Sequence, residues 1–286
     1  MEHVRWQDRP QLRRPVVVAA FEGWNDAADA ASSAGRYLKG RWGARTFASI
    51  DPEEFFDFSS TRPQVRLAAG LTREIVWPET ELSAASLPGT GRDVILLLGT
   101  EPQLRWRTFC TEVVQVATEL DAHMVVTLGA LLADVAHTRP VRVTGTAADP
   151  ELVSRLGLER STYEGPTGIV GVLQDAFRKA ELPSASLWAA VPHYVAATPS
   201  PKATLALVRR TTTLLSTPLV TADLEQRAID YERQVSEVVA TDEDVAAYVR
   251  RLEESADAPE DQPLELQSGE ALAAELERFL REQRDE

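Results

Sequence analysis

Nine polar residues sit where apolar runs give way to loops: Glu22, Asn25 and Asp26, then Asp134, His137 and Arg139, then Glu164, then His193 and Tyr194. Brought together, two imidazoles, several carboxylates and a guanidinium make an acid–base and anion-binding set of the kind hydrolases and nucleoside phosphorylases use. Trp24 shares a turn with Asn25 and Asp26 and is the aromatic best placed to meet a ligand or partner. The candidate binding set is therefore Glu22, Trp24, Asn25, Asp26, His137, Arg139, Glu164 and His193, with no catalytic residue assigned. No short motif converts the set into an active site. The sequence holds no GxSxG, HExxH, GxGxxG or GxxxxGK[ST], and no serine or cysteine with an obvious base beside it. Nothing in the spacing of His137 and His193 fixes a metal site, so neither metal nor cofactor is expected. A simpler alternative makes both histidines hydrogen-bonded loop residues, with Glu22 and Asn25 satisfying backbone N–H groups at the turn.

The elements that must position these residues begin with Val16 to Ala20, an apolar run behind Pro15 that reads as a strand buried on both faces. Gly23 permits a tight turn, and Asn25 or Asp26 caps a helix running to about Gly40, whose alanines let it lie close to its neighbours. Further strands are expected at Ala44–Ile50, Asp93–Gly99, His123–Gly129, Val141–Thr146 and Ser186–Val191. A hairpin is expected from Arg62 to Trp77 around Ala69-Gly70, and a loop from Ser83 to Gly91. Helices are expected at Gln103–Leu120, Pro150–Leu156, Ile169–Leu182 (capped by Thr167) and Lys202–Ser216. Strands and helices alternating at this spacing favour an α/β fold with a largely parallel sheet covered on both faces. Ligand sites in such sheets gather at the C-terminal strand ends, where the candidate residues fall.

Charge divides the chain. From Asp223 to Glu286 there are 20 acids against 7 bases, while residues 1–222 hold 24 against 23, so nearly all of the net −14 lies in the last quarter. No basic face for nucleic acid is evident. From Leu224 to Leu252 an apolar stripe runs at four-three spacing, broken at Asp242, with Thr241 and Asp244 as a capping pair. Two acidic helices with a break near Ala240 follow. The expected divisions are an α/β domain over 1–220, an acidic helical extension over 221–254, a linker over 255–268 and a tail over 269–286. No apolar run is long enough to span a bilayer, no apolar signal region opens the chain, and the single cysteine, Cys110, excludes a disulfide framework; a cytoplasmic protein is expected.

Four blocks, in order, carry a resemblance: Phe21-Glu22-Gly23-Trp24-Asn25-Asp26-Ala27; His137-Thr138-Arg139-Pro140-Val141; Tyr163 to Ile169; and Val191-Pro192-His193-Tyr194-Val195 with Pro199-Ser200-Pro201-Lys202-Ala203. From about Val16 to Leu252 the chain resembles the second proteasome assembly chaperone family in its actinobacterial branch. The resemblance implies a three-layer α/β/α sandwich akin to the nucleoside phosphorylase/hydrolase scaffold. It implies homo-oligomers, a trimer first, and a non-enzymatic role in building proteasomes or other complexes, with proteasome subunits as partners. Relatives that dock on proteasome rings end in a hydrophobic-Tyr-any tail, whereas this sequence ends Glu282-Gln283-Arg284-Asp285-Glu286. The alternative is a small-molecule enzyme or sensor that uses the strand-end residues.

Overall fold

The structure, a computed structural model, describes residues 2–68 and 72–258. Ten strands and seven helices follow in chain order: β1 (Val4–Trp6), β2 (Val16–Glu22), α1 (Ala30–Trp42), β3 (Arg45–Ile50), β4 (Gln64–Ala68), β5 (Thr72–Val76), β6 (Thr80–Ser86), β7 (Asp93–Thr100), α2 (Trp106–Glu119), β8 (Met124–Ala133), β9 (Val143–Ala147), α3 (Pro150–Leu156), α4 (Ile169–Lys179), β10 (Ser184–Pro192), α5 (Pro201–Leu214), α6 (Ala222–Val239) and α7 (Glu243–Asp257). Eight strands form one sheet in the order β1-β3-β6-β7-β2-β8-β10-β9, and β4 with β5 forms a separate ribbon.

At the centre, β7, β2, β8 and β10 run parallel. The flanking pairings are all antiparallel, so the sheet is mixed where the alternation of elements favours a parallel one. On the β7 side the cause is β6, which falls partly in the stretch expected to be a loop; at the other edge β9 pairs antiparallel with β10. The β6 sequence, Thr-Glu-Leu-Ser-Ala-Ala-Ser, has little intrinsic strand character, but it lies hydrogen-bonded between β3 and β7. Only a tight turn, closed by Leu87 N–H on the Arg92 carbonyl at 2.8 Å, separates β6 from β7, and a turn that short forces an antiparallel pair.

Alternate residues of the central strands face two cores. Val16, Val18 and Ala20 pack with α1 and α5 on one side, and Val17, Ala19 and Phe21 with α2 and α4 on the other. These are the three layers of an α/β/α sandwich. Outside α5 lies α6, which sends Leu224 and Ala228 into the first core. Tyr231, Val235 and Val239 of α6 join Val249 of α7 and Ala136 in a third, small cluster. The break between α6 and α7 falls as expected, but the cap is Asp242, whose Oδ1 accepts from Asp244 N–H (2.9 Å) and Val245 N–H (3.1 Å), and not Thr241. Because α7 continues to Asp257, residues 255–257 of the expected linker are helical. Residues 259–268 of that linker, the tail 269–286 and the hairpin tip at 69–71 lie outside the described residues. Among the described residues no helix is long and apolar enough to cross a membrane.

Candidate functional site

The turn after β2 is built by three local devices. Gly23 takes φ +128°, and Asp26 N–H closes the turn on the Gly23 carbonyl at 3.0 Å. The Asn25 carbonyl accepts Ala130 N–H at 2.8 Å, which pins the turn to β8. Asp26 Oδ1 accepts from Ala31 N–H (2.6 Å) and Ser32 N–H (3.1 Å), capping α1. Of the two candidates for that cap, Asp26 fills it and Asn25 does not. Burial raises the Asp26 pKa, opposed by the hydrogen bonds from Ser32 and Ala31. Between cap and helix, Ala28 and Asp29 hold left-handed backbone (φ 51° and 52°), which costs about 1–2 kcal/mol for a residue with a Cβ. Glu22 pairs with Arg36, and Trp24 stands 63% exposed.

Glu101, which the sequence reading passed over, ties this turn to α4. Its N–H donates to the Glu22 carbonyl at 2.8 Å. Its carboxylate then accepts Ile169 N–H on Oε1 (2.7 Å) and Trp24 N–H on Oε2 (3.2 Å). Glu101 therefore satisfies the N-terminus of α4, the task expected of Thr167, whose hydroxyl reaches only the Gly168 carbonyl at 3.5 Å. Gly168 permits the close approach, since a Cβ there would lie 2.2 Å from Asn25 Oδ1 and 2.6 Å from Glu101 Oε1. Asn25 is only 6% exposed, and its Oδ1 is buried without a hydrogen-bond partner. The signal for Glu101 in the sequence is an acid directly after a buried strand, with Pro102 behind it.

His137, Arg139 and His193 stand elsewhere, beneath α6 and α7. The His137 ring bridges Tyr194 OH at Nδ1 (2.8 Å) and Ser236 Oγ at Nε2 (2.9 Å). Ser236 donates its own proton to the Glu232 carbonyl, so it accepts from His137 Nε2–H. Tyr194 OH accepts His137 backbone N–H (2.8 Å) and is left to donate to Nδ1. Every proton is placed when His137 is neutral. Its pKa is lowered by burial first and then by the Lys202 ammonium, against the Glu232 and Glu253 carboxylates. Lys202, also missed in the sequence, donates to the His137 carbonyl and pairs with Glu232. Thr138 and Arg139 hold Glu253, and Arg139 also holds Asp257. Asp134 Oδ1 accepts from Tyr248 OH at 3.0 Å and lies 3.2 Å from His193 Nδ1. Burial and then Asp134 push the Tyr248 phenol up to about 12. Together these contacts latch α6 and α7 to the ends of β8 and β10.

The candidate residues thus fall into two groups, Glu22, Trp24, Asn25 and Asp26 around Glu101, and His137, Arg139 and His193 in the latch. Glu164 is exposed in the loop before α4. Two shallow surface depressions, lined by Thr212–Leu219 and by Val114–Glu119, lie at the opposite end of the sheet. Among the described residues no group of three or more His, Cys, Asp or Glu is arranged to hold a metal.

The PAC2 family model matches residues 20–239, from the end of β2 through α6. The chain belongs to the PAC2 family. A PAC2 family protein from Streptomyces avermitilis is 47% identical, with 82% of this chain and 99% of that one covered at a TM-score of 0.76. A proteasome-assembly chaperone homologue from Mycobacterium tuberculosis is 48% identical over 82% of this chain and 99% of its own, with a TM-score of 0.75. The fold extends to an archaeal proteasome activator from Pyrococcus furiosus, 17% identical, with 82% and 97% covered and a TM-score of 0.67. Among curated proteins nothing matches.

Proposed function

We propose that this PAC2 protein is a non-enzymatic, homo-oligomeric assembly factor of the proteasome-chaperone type, acting in the cytoplasm, with a trimer as its first expected state. The observation that carries the reading is the β4–β5 ribbon. Val65 and Ile75 face each other across it, Leu67 follows on the same face by the two-residue alternation of strands, and Trp77, just past β5, packs edge-on against Phe58. All four are 46–64% exposed. An isolated two-stranded ribbon is marginal in water, and a row of large apolar side chains along it calls for a cover. The ribbon also carries Arg66 and Arg73 against the single acid Glu74, on a chain of net charge −14. A second copy offers both the apolar and the acidic complement.

Two features of the candidate residues support binding over catalysis. The His137 imidazole has both nitrogens engaged within the latch, and the helix N-terminus that would receive an anionic substrate is filled by Glu101. The functional division we propose is an α/β body over 1–220 with 221–254 as its latched extension, the strand-end turn being a surface for partners. Light scattering on the full chain tests the oligomer. The expected mass is that of a trimer for the natural sequence and of a monomer for Leu67→Glu with Ile75→Glu, at unchanged circular dichroism. A monomer in the natural chain overturns the reading.

A further inference from the structure

The helix α7 is held in a way that α6 is not. Five side chains of α6 are buried, Leu224, Ala228, Tyr231, Val235 and Val239, whereas among the described residues of α7 only Val249 is. The family match ends at residue 239, where α6 ends, and Ala240, Thr241 and Asp242 join α7 to it. What fixes α7 is a row of side chains along one face. Val249, Glu253 and Asp257 stand at four-residue spacing, with Val245, Tyr248 and Leu252 beside them. Val245, Val249 and Leu252 join Ala136, Tyr194, Val195, Val235 and Val239. The Tyr248 ring packs edge-on against His193 (5.5 Å between centroids) and Tyr194 (6.2 Å), and its hydroxyl donates to Asp134 at 3.0 Å. Arg139 meets Asp257 through two bonds, Nε to Oδ1 at 2.8 Å and Nη2 to Oδ2 at 2.5 Å. Its Nη1 lies 3.5 Å from Glu253, to which Thr138 also donates.

Ion pairs this exposed contribute little each, and one buried valine adds a small apolar gain, so α7 is held far less firmly than α6. The seat it occupies is specific all the same. Beneath α7 lie an apolar floor, the Tyr194 ring and a guanidinium that binds two carboxylates one helical turn apart. A groove that recognises an amphipathic helix is built in this way, with apolar anchors along one face and charge at the edge. We propose that α7 is a built-in occupant of a helix-binding seat, and that an acidic amphipathic helix of a partner protein takes its place when α7 swings out about Ala240, Thr241 and Asp242. This rests on the reading of the chain as a partner-binding protein and names one partner contact. Charge selects the occupant. With α7 away, Arg139 loses both carboxylates, and a basic helix would set like charge against it. Because α7 is tethered by three residues its local concentration is high, so a partner helix must also make contacts outside the seat, and weak ligands are excluded.

The test uses the full chain and a labelled peptide of residues 243–257, capped at both ends and followed by fluorescence anisotropy. In the natural chain the resident α7 competes, and weak binding is expected. The chain carrying Glu253→Arg and Asp257→Arg, whose own helix is repelled by Arg139, should bind the natural peptide about tenfold or more tightly, with an affinity that falls as salt rises. Tyr248→Ala, which removes a different contact of α7, should act in the same direction, so one misfolded variant does not decide the matter. Adding Arg139→Glu to the charge-reversed chain should reseat its helix and return peptide binding to the weak level. A peptide carrying Glu253→Arg and Asp257→Arg should not bind the Tyr248→Ala chain. Equal affinity of the natural and α7-loosened chains, or equal binding of the two peptides, overturns the proposal. Light scattering on the same samples separates the remaining alternatives. A mass that falls when the peptide is added puts the α7 of a second copy in the seat and overturns the partner reading. A trimer whose loosened seat ignores the peptide defeats this proposal and leaves the oligomer standing.

Discussion

Acid should loosen the C-terminal helices through His137. The ring is 3% exposed and accepts from Tyr194 while donating to Ser236, an arrangement complete only for the neutral imidazole. A proton on Nδ1 would face Tyr194 OH, which already accepts His137 N–H, with the Lys202 ammonium on the His137 carbonyl. Glu232 on α6 and Glu253 on α7 favour the proton but do not outweigh burial and Lys202, so the net shift is downward. With α6 undocked, the imidazole returns to its ordinary value of about 6.5 and binds more protons than the docked form below that pH. Docking is therefore fully stable above about pH 6.5 and weakens as pH falls, by at most about 1.4 kcal/mol per unit while the docked ring stays neutral. Hydrogen exchange of the α6 amides between pH 5 and 7.5, corrected for intrinsic rates, reads this directly. His137→Gln should cost about 1–3 kcal/mol of docking at neutral pH, for the disturbed buried hydrogen bonds, and should flatten the acid slope. The two proteins differ only at residue 137, so the difference between their slopes isolates His137. An equal slope in the variant, or none in the natural chain, would refute the argument.

Other consequences are simpler. Gly168→Ala places a methyl against Asn25 Oδ1 and Glu101 Oε1 and should lower stability by about 1–3 kcal/mol in thermal melts, whereas Gly40→Ala, on an open face of α1, should raise it by about 0.5–1 kcal/mol. Cys110 is buried in the second core, with its pKa pushed up to about 12 by burial and then by Asp175. It should resist a thiol reagent at pH 8 in the native protein and react once denaturant is added. Asp26→Ala removes the α1 cap and should cost about 1 kcal/mol, while Asn25→Ala, at a residue that caps nothing, should leave α1 stability nearly unchanged. Denaturant titration of both variants separates the two roles.

What could be read from the sequence follows the range of the forces involved. The β2 strand, buried on both faces, shows as a continuous apolar run, and the break between α6 and α7 as an acid in an apolar slot. The ribbon shows as two alternating runs around a glycine. By contrast β6 is held by its neighbours and not by its own residues, so Ser83 to Ser86 look like a loop. The strand-end residues were recognisable as polar groups at the ends of apolar runs, but their partners were not. Ser236 lies 99 residues from His137, and Ile169 lies 68 from Glu101. Local capping rules favoured Thr167 and Thr241, and in both places a carboxylate, Glu101 or Asp242, took the helix N-terminus instead. A full negative charge meets the helix dipole better than a hydroxyl does.

The assembly role itself is tested most directly by native mass spectrometry of the full chain mixed with unassembled proteasome subunits from the same source. The chain is expected to appear on incomplete rings and to be absent from mature particles, with ring formation faster in its presence. Ring formation at the same rate with and without the chain, and no joint species at any stage, would contradict the account.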